Sequence, residues 1–533
     1  MRIRNRSLVA NEDGAVAILA ALSLPIMVLS IGAAIDYSRT GALKTRLQDA
    51  ADAAVLVAAK SAPSMNDTDL LALVNKVFKA SATDPTAKID SLKVSNGRRK
   101  VELTVSATSK NMFMGLAGLG EQPVGAFSAS VTADNNYEIA LVIDNSGSMA
   151  SSAGGTSKMQ SAKDAANKLI DAMLASQQAA SKTKFSIVPF TLAVNVGSQY
   201  AGASWMDTTG LSSIHWQNLN KAASDWKPAS RLAIFAELGT TWAGCVETRP
   251  GVWAVTDGSP ATATPDSLFV PMFAPDEPGG AGDTSYDPGS GAWYYANSYL
   301  DDNPKKECKD VKSSAGEYVE AQTKLCKYQN QSSLTTSGGR GPNYNCNAKP
   351  LLRLTNDTTA LHAAVNGMAA NGNTNLLEGF MWGWRTISPN APFADGKPYK
   401  TVDNEKIVIL LTDGMNAWSA ASNHNKSVYS SFGYYTGGRL TDAGKANPTN
   451  ASEARAQMDA KTLTACTNAK VQGVTVYTVG FSVGSDPIDA AGLDLLKKCA
   501  SSPQMAYVAN DSSTIITVFE EIAKSIGGLR LTQ

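Results

Sequence analysis

The chain has 533 residues, enough for two to four domains with a sizeable core. Its 47 basic and 47 acidic residues balance, so no electrostatic footprint points to nucleic acid. Three scattered histidines (His215, His362, His424) argue against a His-based zinc site, and six cysteines without a C-x-x-C pair read as disulfides of an oxidising compartment.

In chain order, Arg2, Arg4 and Arg6 precede a charge-free apolar run from Ala15 to Ile35, long enough to span a bilayer. A cleaved signal peptide has a shorter apolar region, about 7–15 residues, so the run predicts an uncleaved anchor. Arginines before the span favour a cytoplasmic N-terminus and place everything after Asp36 outside. Arg39, Lys44 and Arg46 pull the other way, and the cysteines independently favour the outside placement. Pro25 is tolerable within a membrane helix. Leu43, Leu47, Ala51, Ala54, Val55 and Ala58 then recur on one helical face. That face fits either a helix packing on its own domain or one pairing with another chain. The stretch from NEDGAVAILAALSLPIMVLSIGAAIDYSR to LKTRLQDAADAAVLVAA resembles the N-terminal segment of TadG-like tight-adherence (Flp) pilus-assembly proteins. Pilin-like members carry Glu where this chain has Leu19, a departure that bears on processing and filament assembly; the resemblance implies anchoring in the bacterial inner membrane.

Residues 61–134 read as a small α+β spacer module. A helix near 68–81 precedes strands near 88–94 and 99–108, a short helix at Asn111–Leu119 and a strand near 125–133. Asn96-Gly97 is a hairpin signal. No chemistry-bearing motif occurs here.

Ile139 to Ile143 is an unbroken apolar run, the pattern of a strand buried on both faces of a parallel sheet. It ends in Asp144-x-Ser146-x-Ser148. Met159, Ala162, Ala166, Leu169, Ile170 and Met173 follow at helical spacing, then a strand at Lys184–Phe190. The turn therefore lies at the carboxyl end of a strand, where open α/β sheets bind ligands. A carboxylate with two alternate hydroxyls offers oxygen ligands alone and suits a hard cation. D-x-S-x-S arises by chance in roughly one chain in ten of this length, so the motif is weak by itself.

From about residue 192 to 350 the pattern is lost. This stretch holds Trp205, Trp216, Trp226, Trp242, Trp253 and Trp293 and four cysteines, Cys245, Cys308, Cys326 and Cys346. It predicts a disulfide-stapled insertion. Its aromatics fit a carbohydrate- or protein-binding surface, or, as is commoner in such insertions, its own core.

A helix near Thr358–Ala369 resumes the domain. Asn371-Gly372-Asn373-Thr374-Asn375 then opens a helix through Leu376, Leu377, Phe380 and Met381. The strand Ile407–Thr412 ends in Asp413-Gly414, and 414–450 form a second polar excursion. Ser452–Val471 reads as a helix, Val474–Phe481 as a buried strand, Leu493–Cys499 as a helix end and Met505–Val508 as a short strand. Asp511 or Ser512 caps a last helix through Ile515, Val518, Phe519, Ile522 and Ile526. The alternation predicts an α/β fold with a doubly wound, mostly parallel sheet. The expected domains are residues 1–60 (anchor and its helical continuation), 61–134 (spacer) and 135–530 with the insertion at about 192–350.

In this order, the Asp144, Ser146, Ser148, Thr374 and Asp413 motifs resemble the metal-ion-dependent adhesion site of a von Willebrand factor type A domain. The resemblance covers roughly residues 135–191 and 350–527. It implies Ser146, Ser148 and Thr374 as hydroxyl ligands of Mg²⁺ (or Mn²⁺ or Ca²⁺), with Asp144 and Asp413 acting largely through water. It also implies an open metal position that takes an acidic side chain of a protein partner. No G-x-S-x-G elbow, P-loop or H-E-x-x-H is present, and no general base stands beside the two aspartates, so a metal-dependent hydrolase is the remoter reading. A binding module for pilus assembly and a surface adhesin for host, matrix or carbohydrate ligands remain. Six cysteines allow fifteen connectivities. The expected scheme pairs Cys466 with Cys499 across the strand Val474–Phe481, with Cys308–Cys326 nested inside Cys245–Cys346.

Overall fold

The computed structural model describes residues 13–62, 65–95, 98, 100–118, 120–131, 135–222, 224–279, 285–286, 293–302, 317–331, 334, 339–441, 445–527 and 530–531. Arg2, Arg4, Arg6, Asn96-Gly97 and Cys308 lie outside them. The chain divides into two units, Met1–Asp134 with Gly527–Gln533, and Asn135–Ile526.

The first unit is built on one 49-residue helix, α1 (Asp13–Ser61). Among the described residues it is the one helix long and apolar enough to cross a membrane. Leu22, Leu24, Met27 and Ile31 stand exposed along that part. Further on, Leu47, Ala51, Ala54, Val55 and Ala58 are buried against helix α2 (Asp67–Ser81) and strand β2 (Lys100–Lys110). The amphipathic half of α1 thus packs on its own unit. Asn66 caps α2 by accepting from the Asp69 amide at 2.9 Å. Strands β1 (Lys88–Ser95), β2 and β3 (Glu121–Val131) form an antiparallel sheet in that order, and Arg530–Leu531 pairs on the β3 edge. Along β2 buried and half-buried residues alternate, as a sheet with one covered face requires. Between β2 and β3 the expected helix is a single 3₁₀ turn, Met114–Ala117, which Gly118 ends at φ +86°.

In the second unit the main elements are β4 (Asn136–Asp144), α3 (Lys158–Leu174), β5 (Thr183–Phe190), β6 (Leu352–Thr355), α4 (Thr358–Asn366) and α5 (Leu376–Ile387). They continue with β7 (Asn404–Thr412), α6 (Ala451–Val471), β8 (Val474–Phe481), α7 (Ala490–Cys499), β9 (Ala506–Ala509) and α8 (Ser512–Gly527). The sheet runs β9-β8-β7-β4-β5-β6, parallel throughout except for β6, which is antiparallel to β5. From β4 the chain first moves toward β5 and β6, then returns to add β7, β8 and β9 on the other side. The order therefore reverses between β4 and β7.

Side chains on a strand alternate between faces, so each unbroken apolar run serves two cores. Ile139, Leu141, Ile143, Ile407, Ile409 and Leu411 pack with α3, α4 and α8 on one face. Ala140, Val142, Val408 and Leu410 pack with α5, α6 and α7 on the other. The described part of the insertion extends this second core: Trp205, Trp242, Phe269, Phe273 and Tyr328 are buried in it, and Trp216 and Trp226 pack against it. These aromatics are core. A buried ion network reinforces them, with Arg231 and Arg439 both donating to Glu247, which also accepts from the Tyr429 hydroxyl. Cys245 is bonded to Cys346 and Cys466 to Cys499; Cys326 is disulfide-bonded too.

Candidate functional site

β4 and β7 are hydrogen-bonded neighbours, with Ile143 opposite Leu411, so Asp144 and Asp413 emerge side by side at the carboxyl ends of the strands. This is the switch point of the sheet, where diverging connections leave a crevice. Three polypeptide segments close around it. The Ser146 amide donates to Asp144 Oδ1 at 2.8 Å, and the Thr412 hydroxyl to Asp144 Oδ2 at 2.7 Å, which fixes that carboxylate. The loop carrying Thr374 is bound to the serine turn through its backbone: the Gly147 amide donates to Gly372 O at 2.8 Å and the Asn371 amide to Asn145 O at 2.7 Å. Gly372 takes φ +85°, which its lack of a Cβ permits. Behind it Asn375 caps α5, accepting from the Glu378 amide at 3.3 Å, and the Ala417 amide donates to Thr374 O at 2.9 Å.

Ser146 Oγ lies 3.0 Å from Ser148 Oγ, and the Ser148 hydroxyl donates to Asp413 Oδ1 at 2.8 Å. Asp144, Ser146, Thr374 and Asp413 are buried; Ser148 is half-buried beside exposed Gly147, where the cluster opens to solvent. The structure thus brings Asp144, Ser146, Ser148 and Asp413 into one set of oxygens, with Thr374 buried on the adjoining loop.

One member is not legible as part of the motif. Lys158, the first residue of α3, is fully buried, and its Nζ donates to Asp413 Oδ2 at 2.9 Å and to Asp486 Oδ2 at 2.7 Å. A lysine that starts the apolar stripe of a helix (158, 162, 166, 169) is the signal that marks it. Burial pushes the Asp413 carboxyl above its usual range, against the pull of Lys158. Burial first, and then the charge of Asp413, push Asp144 up to about 7. Asp486, more exposed, is held below its usual range by its hydrogen bond to Lys158.

Among the described residues no group of three His, Cys, Asp or Glu side chains could hold a metal, so a cation here would rest mainly on hydroxyls. The spacing of the oxygens fits that role. Adjacent ligands of an octahedral Mg²⁺ with bonds of about 2.0–2.1 Å stand about 2.9 Å apart; the two serine hydroxyls are 3.0 Å apart, and Asp413 Oδ1 stands behind them as the acceptor of the Ser148 hydroxyl. Lys158 occupies only Oδ2 of Asp413, so Oδ1 remains on the hydroxyl side. The residues present fit a hard divalent cation.

The second unit is thus an α/β domain with a mostly parallel sheet and a set of oxygens at its switch point. In the N-terminal helix, residues 14–61 match the Tad family model, Flp pilus-assembly TadE/G-like, and the match is confined to them. No curated protein matches the chain. Solved structures similar to it include pilus proteins. The pilus adhesin SpaC from Lactobacillus rhamnosus GG is 11% identical with a TM-score of 0.33, over 83% of this chain and 35% of that one. The vWF domain of the type V pili tip protein Mfa5 from Porphyromonas gingivalis is 11% identical with a TM-score of 0.32, over 74% and 95%. The adhesive tip pilin GBS104 from Streptococcus agalactiae is 12% identical with a TM-score of 0.34, over 73% and 100%. The chain spans about a third of the length of SpaC. At such scores the fold rests on its own strand order.

Proposed function

We propose that this chain is a membrane-anchored, non-catalytic component of Tad/Flp pilus assembly that binds a protein partner through a divalent cation, Mg²⁺ in the first place. In this reading Ser146, Ser148 and Thr374 hold the cation directly, and Asp144 and Asp413 hold it largely through water. The cation supplies an open coordination position for an acidic side chain of the partner. α1 anchors the chain by a single pass in the bacterial inner membrane, with the bulk in the periplasm. The observation that carries the reading is the oxygen set at the β4/β7 switch point, with its two serine hydroxyls spaced as a hard cation requires and opening to solvent at Ser148.

The rest of the chain's chemistry supports binding over turnover. Asp144 and Asp413 are held by Ser146, Thr412, Ser148 and Lys158, which leaves neither as a free general base. A surface adhesin is the second reading, favoured by the adhesin likeness of the solved structures but not by an N-terminal Tad segment.

Affinity capture with the full chain in detergent, with Mg²⁺ and with chelator, tests the site. The partner should be retained with Mg²⁺ and lost with chelator, and equal capture in both overturns the cation-dependent reading. Fractionation of cells separates the two roles: inner-membrane recovery supports assembly, and surface exposure supports adhesion.

A further inference from the structure

The tip of the β2–β3 hairpin has no role in the site above, yet it is tied to the apolar end of α1. Asp36, the first charged residue after the apolar run, accepts three successive backbone N–H groups from the tip: Met112 at 3.0 Å, Phe113 at 2.9 Å and Met114 at 2.8 Å. Phe113 packs on Gly32; a Cβ at Gly32 would lie 2.4 Å from Phe113 Cβ and Cγ. Gly32 is four residues before Asp36, about 6 Å nearer the middle of the span at the helical rise. The tip therefore reaches back along α1 by about one turn, to the level of residues that belong to the apolar run. It is apolar itself. No charged residue occurs between Lys110 and Glu121, and Met112 is 66% exposed. Tyr37, 83% exposed beside it on α1, is the residue type enriched at membrane–water interfaces.

Met112 holds an apolar side chain in the open at the hairpin tip. At the edge of a bilayer it is a contact. We propose that Met112, Phe113 and Met114 form a second membrane contact that enters the headgroup–acyl boundary beside the span, with a lipid surface as its partner. An amphipathic element at that boundary is buried about 5–10 Å, which is the depth the Gly32 level gives. The Asp36 carboxylate ties tip and helix together, so the contact fixes the tilt of α1 against the sheet of its own unit. This inference rests on the membrane-anchor reading of α1.

The full chain reconstituted in vesicles tests it, with a single thiol labelled by an environment-sensitive fluorophore. No described cysteine is free, so an introduced thiol is the labelling point. Met112→Cys probes the tip, Leu24→Cys the span and Lys93→Cys the far end of the sheet; all three are exposed, so substitution leaves packing intact. The expected result is quenching of the Met112 label by lipids spin-labelled near the headgroup. The Leu24 label should be quenched by deep spin labels, and the Lys93 label by neither but by aqueous iodide. If Leu24 is quenched while Met112 behaves like Lys93, the tip contact is overturned and the anchor stands. If Leu24 is not quenched either, the anchor reading falls and this inference with it.

Discussion

Replacing Asp144 with asparagine removes one ionisable group and almost no volume, which makes it the sharpest test of the site. In the cation-free protein Asp144 titrates near 7 against an ordinary 3.8, because burial and the charge of Asp413 disfavour its ionised form. A carboxyl raised in the native state costs nothing below its unfolded pKa, where both states are protonated. Between about pH 4 and 7 the unfolded chain ionises while the native site does not, so stability falls as pH rises. Above 7 the loss is complete. The rise from 3.8 to about 7 corresponds to roughly 4 kcal/mol. The substituted amide cannot ionise and keeps an oxygen for the Ser146 N–H. Urea unfolding of the full chain in detergent, followed by tryptophan fluorescence without divalent cations, reads the difference. The variant should match the parent at pH 4 and exceed it by up to about 4 kcal/mol at pH 8. Mg²⁺ at about 100 times its dissociation constant should stabilise the parent by roughly 2.7 kcal/mol and leave the variant unmoved. Parent and Asp144→Asn curves that coincide across pH, with equal responses to Mg²⁺, would refute both the strained carboxylate pair and the cation site.

Four further outcomes are expected. Lys158→Met strands Asp413 in a buried site and should cost about 3–5 kcal/mol in the same urea assay; a change below about 1 kcal/mol would mean the ion pair is not buried as the structure has it. Cys466→Ala with Cys499→Ala opens a cross-link of sequence separation 33 and should cost about 3–4 kcal/mol under oxidising conditions. Non-reducing peptide mapping of the parent should recover that bridge and Cys245–Cys346, and a Cys466 bridge into the insertion would contradict the pairing. A phosphatase fused after Lys60 should be active, and activity of a cytoplasmic reporter alone at that point would overturn the topology.

Much of the architecture is written locally. Ile139–Ile143 and Ile407–Leu411 are apolar at both parities because each strand faces a core on either side, and that property is visible in sequence without a partner. Asp144-x-Ser146-x-Ser148 can be read at a strand end because the run stops there. The hairpin between β2 and β3 is less legible: glycines at 115, 118 and 120 limit the expected helix to one 3₁₀ turn.

What the sequence determined alone is where each apolar face lies and where the polar turns interrupt it, since these depend on periodicities of two and 3.6 residues. The tertiary structure decided what covers each face. It set Asp413 beside Asp144 across more than 260 residues and turned the amphipathic half of α1 into its own unit's core helix. It packed Trp205, Trp216, Trp226 and Trp242 of the insertion into the core on one face of the sheet and carried Lys158 to Asp413 and Asp486. The physical reason is that a stripe of apolar or charged side chains states a need for a partner, whereas the partner's identity follows only from which strands pair and where the chain reverses.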